Sequence, residues 1–256
     1  MKRLFYILAA LILASSCTFF DMDNYEGPDA SISGNIIDAK TKENVPTECK
    51  FGNFFGGAYF GSPTEGFFSV YEKNWDYENA EYWHIKYDGS YRNTMVYSGE
   101  YKIAANANNF YPVEKDGVKI EKGENKLDWE VVPYARVIDP KVEVVNGKFV
   151  ATFKCEFGDA TKANTIVDAK LLCYRDAFVG IYCNYCGMDP GATSTEIVAD
   201  GKTVHTLTID PTLPVNSTEF KYKDVTHFLR IAVCAEGEGH NTGRHYNYSP
   251  TIKIQY

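Results

Sequence analysis

Basic residues are scarce in this sequence, where 26 Lys and Arg stand against 34 Asp and Glu and the formal net charge is −8. This excess of negative charge repels phosphate backbones, which argues against nucleic acid as a partner. Long apolar runs are also scarce. The one pronounced run, residues 4–14, is shorter than the roughly 20 residues of a membrane-spanning helix. Because no stretch has a convincing 3.6-residue hydrophobic period, we expect no α-helices.

The common motifs of catalytic and nucleotide-binding sites are missing as well. His-Glu-x-x-His, Gly-x-Ser-x-Gly, a P-loop and Gly-x-Gly-x-x-Gly do not occur. The five histidines are scattered, and no second cysteine pair accompanies Cys183 and Cys186 at zinc spacing. We therefore predict a non-enzymatic protein without metal or cofactor. A catalytic carboxylate pair stays open, because 34 acidic residues offer many pairs and a sequence gives no distances.

The amino terminus has the pattern of an export signal. Two basic residues precede the apolar run of residues 4–14, as in a signal peptide. The run ends in Leu-Ala-Ser-Ser-Cys at residues 13–17, which resembles the lipobox of bacterial lipoproteins. This resemblance makes residues 1–16 the signal peptide and Cys17 the acylated anchor, with acyl chains that give stable membrane attachment. Ala14 replaces the larger aliphatic residue usual in a lipobox, and the same small residues also suit an ordinary signal peptidase.

Residues 17–29 contain four acidic residues and no basic one, which predicts a flexible tether. Acidic residues directly behind a lipid-bearing cysteine resemble the signal that sends Bacteroidetes lipoproteins to the outer face of the outer membrane. The alternative is a solvated linker whose charge carries no signal. The predicted location is the outer membrane, with a lipid anchor and the protein at the cell surface.

Short runs of alternating apolar and polar residues, separated by turn residues, predict an all-β protein. We expect two consecutive β-sandwiches, at residues 30–133 and 134–256. In the first, residues 31–38 form a strand and residues 126–132 form a closing strand, which Pro133 ends because it lacks a backbone donor.

The motifs SISGNIID, DGSYRN, SGEYKI and WEVVPY of the first segment are similar to those of the carboxypeptidase-regulatory-like, transthyretin-like sandwich. More specifically, they resemble an uncharacterised family of Bacteroidetes lipoproteins encoded beside SusC/SusD-type nutrient importers. The resemblance covers residues 17–137 well and the remainder more loosely. It implies a non-enzymatic module whose ligand is unknown.

The second segment begins with a hairpin at residues 142–153 around an Asn-Gly turn. Pairing across this turn places five apolar residues on one face: Val142, Val144, Phe149, Ala151 and Phe153. Residues 227–235 are predicted to form a central strand. A Gly-rich loop at residues 236–244 and the closing strands after it resemble the end of a fibronectin type III domain, with Ile252, Ile254 and Tyr256 facing inward.

Six cysteines remain beyond Cys17 and allow fifteen connectivities, so no pairing is assigned: Cys49, Cys155, Cys173, Cys183, Cys186 and Cys234. Cys183 and Cys186 form a C-x-x-C pair. Because no βαβ pattern surrounds them, a redox role is disfavoured. A tight local disulfide and two unpaired thiols in a loop both stay open. Cys155 shares the parity of Phe153 and should be a buried apolar residue.

Aromatic residues are the one excess, with sixteen between residues 51 and 101. In residues 72–84 the rings alternate with acids and amides, which suits an exposed loop. Rings stack on sugar faces while carboxylates and amides bind hydroxyls. This pattern makes four residues candidates for glycan binding: Trp75, Tyr77, Tyr82 and Trp83. The alternative is that Trp75 closes the sandwich edge and that Tyr82 and Trp83 begin a strand.

Two functions follow. The first is a surface glycan-binding lipoprotein that serves a SusC/SusD-type uptake system. The second is a structural accessory subunit that contacts the importer or another surface lipoprotein, through sandwich edges or the loop at residues 236–245. A peptide-binding or adhesin-type module is a weaker third reading.

Overall fold

The computed structural model describes residues 26–48, 66–73, 79–106, 108–186, 188–216, 219–222, 224–240 and 243–256. In this part of the chain every regular element is a β-strand except a short 3-10 helix, Pro190–Ala192. The predicted all-β class is confirmed. The first strand, β1 at Ala30–Asp38, shows the cause, because buried and half-buried residues alternate along its whole length with the two-residue period of a strand.

The first eight strands form two sheets that enclose one core. The other seven are β2 Phe67–Glu72, β3 Glu81–His84, β4 Ser90–Val96, β5 Gly99–Ala105, β6 Val113–Ile120, β7 Gly123–Lys126 and β8 Trp129–Val131. One sheet has the order β4-β1-β7, with β8 also paired to β1, and the other has the order β3-β2-β5-β6. Phe68 joins the layers, since its ring centroid lies 4.9 Å from that of Tyr91 and 5.2 Å from that of Trp129.

The later strands form a second pair of sheets. They are β9 Ala135–Val145, β10 Lys148–Phe157, β11 Asn164–Tyr174, β12 Thr193–Ser194, β13 His205–Ile209, β14 Thr226–Gly237, β15 Tyr246–Tyr248 and β16 Ile252–Gln255. One sheet has the order β13-β10-β9, and the other has the order β12-β11-β14-β15, with β16 also on β14. Phe149 and Phe153 from the first sheet share a core with Leu171 and Ile231 from the second.

The predicted hairpin is confirmed, with Val144 opposite Phe149 and Val142 opposite Ala151. One residue departs from the predicted inward face, because Val144 is 43% exposed whereas Phe149 is fully buried. The reason is the position along the strand. Val144 lies near the turn, where the last three residues of β9 are all exposed, whereas Val142 on the same strand is buried.

Two other predicted strands also take their expected places. The central strand predicted at residues 227–235 lies within β14, which pairs with β11 on one side and with β15 and β16 on the other. In the last strand, Ile252, Ile254 and Tyr256 pack against the core, as expected from their alternation.

The predicted closing strand at residues 126–132 is confirmed in part, because β8 lies within it, but the chain breaks between Lys126, where β7 ends, and Trp129. Both pair with β1 in parallel, β7 with its first half and β8 with its second. Between β7 and β8, the Asp128 carboxylate accepts the backbone N–H of Asn35 at 2.9 Å. A side-chain acceptor thus takes the place of a backbone carbonyl at this point of the sheet. Gly34 lies beneath the break, and a Cβ there would overlap the carbonyl of Leu127.

A buried ion pair joins β1 to β9. Arg136 donates from Nε to Oδ2 of Asp38 at 2.5 Å and from Nη2 to Oδ1 at 2.7 Å. Asp38 is 4% exposed and Arg136 is 8% exposed. Arg136 also bonds Glu156 at 3.3 Å. Two parallel hydrogen bonds fix both distance and angle, so this pair sets how the first strand meets the second group of sheets.

Two buried asparagines form a second link nearby. Asn247 donates to the carbonyl of Asn109 at 2.8 Å, and Asn109 donates to the carbonyls of Pro46 and Tyr246, each at 2.9 Å. The Asn247 side-chain oxygen accepts the N–H of Ala135. Because unpaired backbone groups are costly when buried, these amides stabilise the contact between the early and late strands.

We expect Asp38→Asn to lower the free energy of unfolding by on the order of 3 kcal/mol, because it removes the charge that binds buried Arg136 through two hydrogen bonds and leaves only Glu156 at 3.3 Å. Glu130→Gln is the matched control. It removes the same kind of charge from an exposed pair with Lys42, so we expect a loss below about 1 kcal/mol. Urea denaturation at neutral pH measures both, and equal losses would contradict the structural role of Asp38.

Acid titration gives a second measure of this pair. Burial alone raises the pKa of Asp38, but the hydrogen bonds and the charge of Arg136 outweigh burial, and the net pKa is lowered. The ionised carboxylate therefore stabilises the fold above the pKa it has when unfolded, about 3.9, and this contribution is lost as pH falls through the lower folded value. The stability gap between wild type and Asp38→Asn should shrink below about pH 4.

Candidate functional site

The residues predicted to bind a ligand are separated by the structure. Cys17, Trp75 and Tyr77 lie outside the described residues. Tyr82 and Trp83 both lie on β3, as the alternative interpretation of this stretch expected. Because successive side chains of a strand face opposite ways, these two rings cannot share one binding surface.

Trp83 belongs to the core of the first sandwich. It is 5% exposed and its ring centroid lies 5.9 Å from that of Tyr101. This ring has no face on which a sugar can stack, so the structure corrects its assignment as a ligand-binding residue. Tyr82 is 50% exposed on the outer side, opposite the small Ser69 on β2. It stays a candidate as a single ring on an edge strand.

A better-built cluster of rings lies on a loop that the sequence reasoning passed over. This segment, residues 175–186, connects β11 to the 3-10 helix and is called the aromatic loop below. Phe178 is 47% exposed and Tyr182 is 66% exposed. The Phe178 ring packs edge-on against half-buried Tyr87 of the first sandwich, with centroids 5.1 Å apart. Both rings are exposed on the same loop, and each can pack against a flat apolar group.

Local hydrogen bonds hold the aromatic loop in one shape. The Asp176 carboxylate accepts the N–H of Phe178 at 2.8 Å, an Asx turn that sets the direction of that ring. Gly180 and Cys183 bond each other through both backbone groups, so Tyr182 lies at the tip of a tight turn. The Asn184 side chain donates to the carbonyls of Gly180 and Ile181 and closes the turn.

A buried carboxylate attaches this loop to the first sandwich. Glu48 is 2% exposed, and its Oε2 accepts the N–H of Ile181 at 3.1 Å and the hydroxyl of Tyr248 at 2.5 Å. One side chain of the first segment therefore holds both the loop and β15. Because a buried carboxylate without donors is costly, this arrangement strongly favours a single loop position.

Arg230 on β14 completes the attachment from the other side. It is 1% exposed and donates to the carbonyls of Val179 and Thr47 at 3.0 Å and of Tyr87 at 2.9 Å. It also bonds the Ser249 carbonyl. Its guanidinium lies 4.3 Å from the centroid of the Tyr248 ring. The backbone of the aromatic loop between its two exposed rings is thus held in place before any ligand arrives, which lowers the entropic cost of binding.

Among the cysteines that the structure describes, only the thiol of Cys183 is partly accessible. Those that the structure describes are Cys155, Cys173, Cys183, Cys186 and Cys234, all free thiols, and each except Cys183 is buried. Burial raises the pKa of Cys155 to about 12, and its predicted burial is confirmed. His227 lies 3.9 Å from the Cys173 thiol, but both are buried. We see no catalytic dyad here, because no substrate reaches these groups.

Cys186 packs in the core, whereas Cys183 is half-buried at the turn. Cys186 is 1% exposed and lies in the same core cluster as Cys173. The N–H of Tyr185 donates to the Cys173 carbonyl at 3.1 Å, which brings the end of the loop back onto β11. A hydrogen bond with Cys186 and then burial raise the pKa of Cys173 well above its ordinary value.

A cleft of about 440 Å³ lies at the junction of the two groups of sheets. Its charged lining residues are mostly paired with one another, since Arg136 binds both Asp38 and Glu156 and Lys40 also binds Glu156. The one ring that lines it, Tyr248, is 5% exposed. Most charged side chains that line the cleft are therefore already paired within the protein.

The described residues contain neither a metal-binding cluster nor a membrane-spanning helix. Within the described ranges, no cluster of His, Cys, Asp and Glu has the arrangement to hold a metal ion. Over the same residues, no helix has the length and apolar character needed to span a bilayer.

Comparisons with known proteins agree with the β-rich fold. Residues 30–132 match the family described as "Protein of unknown function (DUF3823) N-terminal domain". A protein of Bacteroides uniformis ATCC 8492, described as a "putative carbohydrate binding protein", is 27% identical with a TM-score of 0.77. That match covers 90% of this chain and 100% of the other. No curated protein matches the chain.

Two more solved proteins share the fold. A DUF3823 family protein of Parabacteroides merdae ATCC 43184 is 16% identical with a TM-score of 0.66, over 90% of this chain and 100% of that one. Another from Bacteroides uniformis ATCC 8492 is 17% identical with a TM-score of 0.63, over 89% and 99%. These matches agree with the predicted Bacteroidetes relationship. The transthyretin-like and fibronectin-like assignments and the importer association stay predictions.

We expect Arg230→Lys to lower the free energy of unfolding by on the order of 3 kcal/mol. An ammonium group cannot reach carbonyls on every side as the planar guanidinium does, so buried acceptors lose their donor. Limited proteolysis should cut the aromatic loop faster in this variant. Arg175→Lys, an exposed arginine on the same loop, is the control and should behave as wild type. Unchanged proteolysis in Arg230→Lys would contradict the proposed attachment.

Proposed function

We propose that this protein binds carbohydrate without transforming it, and that the aromatic loop is its contact surface. The observation that carries the proposal is the exposure of Phe178 and Tyr182 on a loop fixed by buried Glu48 and Arg230. Support comes from the Bacteroides uniformis relative, which matches along its whole length and is described as a "putative carbohydrate binding protein".

The chemistry of the loop suits a sugar ligand. A pyranose ring has an apolar face of C–H groups that packs on an aromatic ring, and hydroxyls at its edge that need polar partners. Arg175 and Asp176 are exposed on the same loop and can bond such hydroxyls. Since each stacked ring contributes on the order of 1 kcal/mol, two rings give weak binding to a single sugar unit. Such a site favours polymers, on which successive units can rebind.

The proposal extends to location and partner. The lipobox-like end of the signal peptide supports acylation at Cys17, and the acidic residues up to Asp29 support a tether at the cell surface. A lipid-anchored sandwich that captures polysaccharide at the outer membrane would supply a SusC/SusD-type importer. Co-purification from detergent-solubilised outer membranes tests this partner. A stoichiometric importer complex without any sugar binding would favour the accessory-subunit function.

Affinity gels with plant, fungal and host polysaccharides test the ligand. We expect at least one glycan to retard the wild type, and Phe178→Ala or Tyr182→Ala to weaken that binding about tenfold, or ~1.4 kcal/mol, because the stacking face is lost. Tyr222→Ala is the matched control. Tyr222 is 68% exposed, a fraction similar to the 66% of Tyr182, but it lies outside the aromatic loop.

Tyr82→Ala separates the two candidate surfaces. If the aromatic loop binds the glycan, this variant should retain full affinity. Loss of binding in Tyr82→Ala with normal binding in both loop variants would assign the site to the outer sheet face instead. Retardation by no glycan of the panel would contradict the proposed function.

Fractionation of cells tests the anchor. We expect the wild type in the membrane fraction and Cys17→Ser in the soluble fraction, because the thioether-linked acyl chain can no longer form. Cys183→Ser is the control and should stay with the membrane. Intact mass of the mature chain gives the direct measure, and an unmodified Cys17 would contradict the proposal.

A further inference from the structure

Two buried cysteines lie where the aromatic loop leaves and rejoins the core. Cys173 is near the end of β11 and is fully buried, and Cys186 ends the loop and is 1% exposed. The hydrogen bond from Tyr185 N–H to the Cys173 carbonyl, 3.1 Å long, places the residue before Cys186 directly against Cys173. Both side chains belong to one core cluster.

We propose that Cys173 and Cys186 form a disulfide bond when the protein folds in an oxidising compartment. The bond would close residues 174–185 into a ring and join the loop covalently to β11. This pairing is independent of what the loop binds. With carbohydrate as the ligand, as proposed above, it would also keep Phe178 and Tyr182 in place.

The neighbouring cysteine is a poorer partner. Cys183 lies at the tight turn, where both of its backbone groups bond Gly180. It is half-buried, and its pKa is raised by burial and by the charges of Glu48 and Asp176. Cys186 instead lies in the core cluster. A Cys183–Cys186 bond would have to pull Cys186 out of that core.

The chemistry requires a disulfide oxidant, of the kind that exchanges with protein thiols. One cysteine loses its proton, attacks a sulfur of the oxidant and displaces one oxidant thiolate, which gives a mixed disulfide. The second cysteine thiolate then attacks the protein sulfur of that mixed disulfide and displaces the other oxidant thiolate. Two protein thiols are oxidised by two electrons, and the oxidant leaves as two thiols that carry the two protons.

Burial of Cys173 determines when the disulfide bond can form relative to closure of the core. Thiolates are the attacking species, and burial keeps Cys173 protonated in the folded core. The bond must therefore form before the core closes around it. Once formed, it is shielded from external reductants by the same packing.

Peptide mapping tests the pairing directly. The full chain, with its leader, is expressed in a bacterial host with an oxidising periplasm, and the cells are lysed in denaturant with N-ethylmaleimide, so that buried thiols are blocked as well. Trypsin cuts after Lys170, Arg175 and Lys202, so Cys173 falls in residues 171–175 and Cys186 in residues 176–202. We expect these two peptides to be joined and to separate on reduction in denaturant.

Variants identify which cysteine is used. Because Cys183 shares a tryptic peptide with Cys186, Cys183→Ser should keep the joined peptides, whereas Cys186→Ser should lose them. Without denaturant, a mild reductant should leave the wild-type link intact. Reduction should lower the melting temperature of the wild type by several degrees, since a ring of this size restricts the unfolded chain.

Two results would overturn the inference. The first is N-ethylmaleimide on both Cys173 and Cys186 in the wild type, which would show that they stay thiols. The second is a blocked Cys173 together with a Cys183–Cys186 bond inside residues 176–202. Both results come from the wild type, so neither depends on a variant that folds poorly.

Discussion

Backbone carbonyls from distant parts of the chain converge on the guanidinium of Arg230. Thr47 and Tyr87 come from the first sandwich, Val179 from the aromatic loop and Ser249 from the end of β15. A guanidinium presents its donors in a fixed plane, so its acceptors must arrive in matching positions. The exposed rings depend on this one buried charge, because the loop that carries them has its place only when both sandwiches are assembled around it.

Much of the fold could be predicted, because strand alternation and turn residues are local signals. The Asn-Gly turn gave the register of the β9–β10 hairpin to the residue. The break in the closing strand was missed for a non-local reason. It depends on the bond between Asp128 and Asn35, which are 93 positions apart. Val144 was misplaced because parity tells which face a residue takes but not how far along the strand the burial extends.

The candidate site was less predictable. Composition pointed to the aromatic-rich stretch before residue 101, yet Trp83 fills the core there. Phe178 and Tyr182 carry no alternation that marks them as exposed, and the C-x-x-C pair drew attention to the sulfur atoms of their loop. The sequence signal that was available is the Gly180 turn between the two rings. What makes the loop a rigid surface, the bonds from Glu48 and Arg230, involves residues more than 40 positions away.

The position of β1 has a mechanical consequence. This strand directly follows the acidic segment that ends at Asp29, and it is flanked by β4 on one side and by β7 and β8 on the other. Under the proposed anchor at Cys17, a pull between residue 29 and the second group of sheets would run along β1 and load its ladders in shear. The paired bonds on both sides of β1 would then have to yield together instead of opening one at a time.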